Sequence, residues 1–198
     1  MILARHESAL RRTVIQVALL NLGYFGIEFA VALAIGSVSL FADSIDFLED
    51  TSVNLLIAIA LGWSARNRAR IGMAMAAILL VPGIATLWTA WEKFADLTVP
   101  EPFALSVTGA GALVINLSCA LMLARFRHHS GSLTKAAFLS ARNDAFANIA
   151  IIAAGFVTVY TLSTWPDLIV GLAIFLINLD AAREIGEAAR EEHRTARP

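Results

Sequence analysis

The chain has 198 residues, of which 58% are hydrophobic and 16% are charged. Soluble domains have about 45–50% apolar and about 25% charged residues, so this composition, with its apolar residues in long runs, indicates a membrane protein. The net charge of −1 comes with no basic stripe for a nucleic acid, and the single Cys119 excludes an internal disulfide and a thiolate metal cluster.

Six apolar segments of about the ~20 residues that span a bilayer core predict six transmembrane helices. They cover Thr13–Ile35, Ser37–Trp63, Ile71–Phe94, Phe103–Ala124, Leu133–Thr161 and Leu168–Ile185. The predicted fold class is all-α, a polytopic membrane protein with a six-transmembrane-helix bundle. We expect residues 1–12 to form a cytoplasmic N-terminal segment, 13–186 the transmembrane domain and 187–198 a short cytoplasmic tail.

Basic residues concentrate before the first segment, in alternate connections and after the last segment, whereas the other connections carry Asp96, Glu101 and Asp167. The positive-inside rule then predicts that both termini are cytoplasmic, which agrees with an even number of spans. No short apolar core with a cleavage site precedes the first segment. We therefore expect no signal peptide, and an integral protein of the cell (inner) membrane.

Acidic residues concentrate in the second segment. Asp43, Asp46 and Asp50 follow one another at spacings of three and four residues, which stacks their carboxylates on one face of a helix. An ionised Asp in the middle of a bilayer costs roughly 2.5–3.5 kcal/mol on insertion scales, so acids clustered there need a cation. This pattern indicates a membrane transporter of divalent metal ions.

The fifth segment offers matching polar groups. Ser140 and Asp144 are one turn apart, as are Asp46 and Asp50, so two neighbouring helices can supply four oxygen ligands to one ion. Arg142 is the only cation in the middle of these segments, too few to neutralise the acids by ion pairing. The candidate metal ligands are Asp43, Asp46, Asp50, Ser140, Asn143 and Asp144.

Three acids have alternative interpretations. Asp43 comes shortly after the Gly-Ser start of its helix, so it is either a ligand or a solvated residue near the outer interface. Glu49 either pairs with Arg142, faces water or binds the metal. Glu28 either stabilises the bundle through an ion pair or hydrogen bond, or binds the metal.

At these residues the chain resembles the cation diffusion facilitator (cation efflux) family of divalent-metal/proton antiporters. Members carry a Gly-Ser start and then spaced acids on the second helix, read here as Gly36-Ser37 followed by Asp43, Asp46 and Asp50. Their fifth helix carries His-x-x-x-Asp and then an Asn one turn later. In this chain the fifth helix has Ser140 at the His position, followed by Asp144 and Asn148. Asn21 and Glu28 of the first segment also resemble the family's residues.

The chain departs from the family pattern in two ways. Ser140 stands where members have a His, which is a stronger metal ligand. Members also continue into a cytoplasmic ferredoxin-like domain, so we expect a truncated form that lacks this C-terminal domain. The resemblance implies six helices, cytoplasmic termini and a homodimer through the membrane helices.

The resulting expectation is a metal/proton antiporter that exports Zn²⁺ or a similar transition-metal ion from the cytoplasm. The resemblance puts Zn²⁺ first, with Mn²⁺, Fe²⁺, Co²⁺, Cd²⁺ and Ni²⁺ as relatives, while an all-oxygen site favours Mn²⁺ or Fe²⁺. We expect lipid, metal ions and protons as partners, and no permanently bound cofactor. The alternative is a non-transporting membrane accessory or metal-sensing subunit. An enzyme is disfavoured, because no nucleophile–base pair or phosphate-binding loop is present in the sequence.

Overall fold

A computed structural model describes residues 2–60, 84–126 and 132–177. These residues form six helical segments and no strand, which confirms the predicted all-α membrane bundle. The segments are α1 (Ile2–Ile35), α2 (Val38–Ala60), α3 (84–95), α4 (Pro102–Ala124), α5 (Ser132–Thr161) and α6 (Trp165–Ile177). The predicted tail, 187–198, lies outside the described residues.

Three of the described helical stretches are long and apolar enough to cross a membrane, namely Ser8–Ile35, Pro102–Ala124 and Ser140–Thr161. A shorter apolar helix, Trp165–Ile177, follows. The helix α2 has 23 described residues, but its acidic residues set its composition apart from these three. Long apolar helices of this kind identify an integral membrane protein.

The four longest helices pack in a ring. α1 packs along α2, α4 packs along α5, and the ring is completed by contacts of α1 with α4 and of α2 with α5. A tight reversal at Gly36, which has a φ of +63°, turns the chain from α1 into α2. Glycine suits this position because a left-handed φ is strained for residues that carry a Cβ.

Buried apolar side chains form a cluster at each end of this ring. The first apolar cluster joins the start of α1, the end of α2, the end of α4 and the start of α5, and includes Val14, Ile57 and Leu123. The second apolar cluster joins the opposite ends of the same helices with α6, and includes Leu40 and Ile151.

Between the two clusters lies a buried polar layer, contributed by α1, α2, α4 and α5. None of its side chains is more than 7% exposed. Its members are Asn21, Glu28, Asp43, Asp46, Asp50, Asn54, Asn116 and Asn148. The fold therefore places the acids of α2 in the middle of the bundle, closed off at both ends by apolar side chains among the described residues.

Candidate functional site

The acids of α2 are buried as the helical spacing predicts. Asp43, Asp46 and Asp50 are 0%, 7% and 4% exposed. Burying an ionised carboxylate costs free energy unless hydrogen bonds or charges compensate it. The contacts of each acid therefore show what the site can hold.

Asp50 lies where three helices meet. Its Oδ1 accepts a hydrogen bond from the Ser140 hydroxyl of α5 at 3.0 Å, and its Oδ2 accepts from the Asn21 amide of α1 at 3.4 Å. Cys119 of α4 donates in turn to the Asn21 oxygen at 3.4 Å. Both oxygens of one carboxylate are thus oriented by side chains from neighbouring helices, which fixes its position.

Asp43 marks a second contact between α2 and α5, two turns from the first. Its Oδ2 accepts a hydrogen bond from Asn148 at 2.5 Å, and the Asn148 oxygen accepts from Asn116 of α4 at 3.0 Å. Because Asp43 is fully buried and hydrogen-bonded, the interpretation of Asp43 as a solvated residue at the outer interface is wrong.

Glu28 of α1 lies beside Asp43 and is itself 0% exposed. No described donor reaches either oxygen of Glu28 or the second oxygen of Asp43. Two carboxyl groups can hydrogen-bond to each other only when one of them carries a proton. This pair is consequently suited to hold a proton or another cation between its oxygens.

Asp46 and Asp144 fall between these two contacts in the antiparallel register of α2 and α5. Asp46 is buried and interacts electrostatically with Asp144, and Asp144 in turn interacts with Asp50. Ser140, whose hydroxyl donates to Asp50, lies one helical turn before Asp144 on α5. The structure thus brings Ser140 into contact with Asp50, and places Asp46 and Asp144 near enough to interact electrostatically with Asp50.

Asn143 is the predicted site residue that the structure does not bring to the acids. Its side chain is exposed, and its oxygen accepts a hydrogen bond from Arg142 at 3.2 Å. Arg142 is exposed too, while Glu49 is half-buried beside Asp50. The amides that do reach the acids are those of Asn21 and Asn148, which are not among the predicted ligands. Their positions in the sequence were the available signal, because Asn21 is two helical turns from Glu28 and Asn148 is one turn from Asp144.

Within the described ranges, no three acidic, His or Cys side chains are grouped as a ready-made metal cage. Instead, the carboxylates of Asp43 and Asp50 lie against the Ser140 hydroxyl and the amides of Asn21 and Asn148. Each of these side chains carries an oxygen atom that could bind a metal ion. Oxygen donors suit hard divalent cations, and carboxylates also bind Zn²⁺.

The chain was compared with protein families and with curated protein sequences. A family model described as the cation efflux transmembrane domain matches residues 14–191, which include every residue of the buried polar layer. A search of curated protein sequences found no match.

Proposed function

We propose that this chain, which belongs to the cation efflux family, exports Zn²⁺ or a similar transition-metal ion from the cytoplasm in exchange for protons. The family is one of membrane transporters rather than of enzymes, and the chain is a cation transporter of this kind. The identity of the ion, the direction of flux and the proton coupling are the parts that we propose.

The observation that carries the proposal is the position of Asp50. Its carboxylate is held by Ser140 from α5 and Asn21 from α1, with the charges of Asp46 and Asp144 close by. Several like charges in one buried layer repel one another, and a divalent cation relieves this repulsion directly. The substrate ion would be bound by Asp46, Asp50 and Asp144, with the Ser140 hydroxyl or water completing its coordination.

Movement of the ion requires the apolar clusters to open in turn. The first and second apolar clusters lie at the two ends of the polar layer in the described residues, so we expect the helices to separate at one end when the ion leaves. Alternating access by rocking of helices around a fixed site is the general solution for such transporters. Protons that arrive from the far side compete for the same carboxylates and release the metal.

The choice of ion follows from the donors. Zn²⁺ accepts carboxylate ligands, but the absence of an imidazole from this ligand set shifts preference toward Mn²⁺ and Fe²⁺ relative to sites that contain His. We propose Zn²⁺ or a neighbouring transition-metal ion as the substrate, with Mn²⁺ and Fe²⁺ as the first competitors to assay.

The test is metal flux into proteoliposomes that contain the purified full chain. We expect saturable uptake of at least one of Zn²⁺, Mn²⁺, Fe²⁺, Co²⁺, Cd²⁺ and Ni²⁺, and expect Asp50→Ala to reduce it by at least about tenfold, because a charge-assisted contact to the ion is lost. Glu92→Ala is the matched control, since Glu92 is an exposed acid whose side chain accepts a hydrogen bond only from Trp88 among the described contacts.

Absence of flux for all six ions in the unmodified protein would contradict the proposal. Specific metal binding without flux would instead indicate the alternative, an accessory or metal-sensing subunit.

A further inference from the structure

The amino end of α2 is capped in an unusual way. The first backbone N–H groups of a helix have no partner within the helix and are commonly satisfied by the residue just before it. Ser37 does this for one group, since its hydroxyl accepts a hydrogen bond from the Leu40 N–H at 3.1 Å. The N–H groups of Val38 and Ser39 are satisfied by a side chain from another helix.

That side chain is Asp167, in the first turn of α6. Its Oδ2 accepts from the Val38 N–H at 2.8 Å, and its Oδ1 accepts from the Ser39 N–H at 3.2 Å and from the hydroxyls of Ser37 and Ser39, each at 2.6 Å. Asp167 and these three partners are all 0% exposed. A buried carboxylate that accepts four hydrogen bonds at the positive end of a helix is well compensated.

Two further contacts hold the same turn. Gly171, one turn after Asp167, lies so close to α2 that a Cβ there would be 2.7 Å from Val38 Cγ1 and 2.8 Å from the Ser39 nitrogen. The buried Lys93 of α3 donates to the carbonyl oxygen of Gly36. The start of α2 is therefore held by contacts with both α3 and α6.

We propose that Asp167 is a positioning residue for transport, which sets the axial position of α2 and so the register of its acids against α5. The inference rests on the proposed function, in which those acids hold the ion. A helix is stiff along its axis, and about 12 Å of helix separate Val38 from Asp46. A slip of one residue, about 1.5 Å, would displace Asp50 relative to Ser140 and Asp43 relative to Asn148, and so misalign both hydrogen bonds.

A cap that only stabilises the fold would behave differently. Its loss would reduce the amount of folded protein but leave the folded molecules with unchanged affinity for the ion. A positioning residue changes the affinity of the folded molecules, because the ligands on α2 and α5 no longer meet in the same register.

The first measurement is the concentration dependence of metal flux, normalised to folded protein, for Asp167→Asn. Asn has the size of Asp, but one of its two acceptor oxygens is replaced by an NH₂ group. That group is itself a donor and cannot accept the hydrogen bonds that Asp167 receives from the start of α2. We expect KM to rise about tenfold with a smaller change in kcat. Glu101→Gln is the matched control: Glu101 also caps a helix, accepting from the Phe103 and Ala104 N–H groups, but it caps α4 within its own segment.

The second measurement is a distance that does not depend on transport. Spin labels at Leu55 of α2 and Phe146 of α5, both exposed, report the register of the two helices, and the fully buried Cys119 is left in place. We expect Asp167→Asn to shift or broaden this distance and Glu101→Gln to leave it unchanged. An unchanged distance, or an unchanged KM, would overturn the proposal.

A smaller change covers the case in which Asp167→Asn does not fold. Ser39→Ala removes one hydroxyl donor and leaves the carboxylate in place, so we expect a smaller distance shift in the same direction and a smaller rise in KM. If the unmodified protein carries no metal, the proposed function fails, and the spin-label distance alone then decides whether Asp167 sets the register.

Discussion

Ser140 is the residue at which this chain differs most from the family pattern that it resembles. Its hydroxyl donates to Asp50 of α2 at 3.0 Å, and it lies one helical turn from Asp144 on its own helix, α5. A hydroxyl is a weak metal ligand compared with an imidazole, but in this position it orients the Asp50 carboxylate, which is a stronger ligand.

Replacement of Ser140 by His tests whether these acids form a working cage. Because Zn²⁺ binds imidazole well, we expect Ser140→His to increase the affinity for Zn²⁺ relative to Mn²⁺ by about tenfold, measured by calorimetry on the purified protein. Ser118→His is the control, since Ser118 of α4 bonds only to the Val114 carbonyl in the described contacts. An unchanged Zn²⁺/Mn²⁺ ratio would argue against a cage at Ser140.

For single residues, the sequence predicts which side chains share a face of one helix better than it predicts which side chains meet between helices. The spacing of Asp43, Asp46 and Asp50 is enough to put them on one face, since a helix repeats every 3.6 residues. Asn143 is predicted only as a group that completes the coordination of the ion, and it is about 100° around the helix from Asp144 and exposed. The role of Asn148 depends on the register between α2 and α5, which no local pattern contains.

Among the helices, the contact between α4 and α5 depends on a small residue. A Cβ on the buried Gly155 would lie 3.1 Å from the Pro102 carbonyl oxygen and 3.2 Å from Ser106 Cβ, both on α4. Close approach of this kind is how membrane helices gain packing energy in the absence of a strong hydrophobic effect.

Gly155→Ala should therefore force α4 and α5 apart. We expect a loss of about 1–3 kcal/mol in the free energy of unfolding, measured by denaturation in detergent, because overpacking cannot be relieved without moving backbone. Gly26→Ala is the matched control: Gly26 of α1 is exposed with nothing within 4 Å, so Ala should be neutral or stabilising by up to about 1 kcal/mol. Equal effects of the two changes would contradict this account of the packing.

The helix boundaries show where hydropathy alone predicts the ends of a membrane helix. The predicted spans Phe103–Ala124 and Leu133–Thr161 differ from α4 (Pro102–Ala124) and α5 (Ser132–Thr161) by one residue at their starts. The predicted sixth span begins at Leu168, whereas α6 begins at Trp165. The difference arises because the charge of Asp167 predicts a loop residue. In the structure Asp167 lies in the first turn of α6 and caps the start of α2.

For the whole molecule, the buried polar layer closed by two apolar clusters is the feature that links the fold to transport. Protons and metal ions compete for the same carboxylates, so the sign of a pH effect differs on the two sides of the membrane. Acid on the release side should promote dissociation of the metal, and acid on the uptake side should oppose its binding.

This coupling is measurable in proteoliposomes with a pH-sensitive dye inside. We expect metal uptake to drive protons outward, and expect an inside-acid gradient to accelerate uptake by several-fold. Asp50→Ala should abolish the metal-dependent proton signal. Metal flux that is indifferent to both the size and the direction of the pH gradient would rule out antiport and leave simple cation transport.

The sequence by itself determined the membrane class, the all-α architecture and the concentration of acids on α2, because hydropathy and helical periodicity are local properties that each segment carries alone. Only the tertiary structure decided that Asp50 meets Ser140 and Asn21, that Asp43 is buried against Asn148, and that Asp167 caps α2 from α6. These contacts join residues far apart in the chain, and their register is set by how whole helices pack, which is a collective property of the bundle.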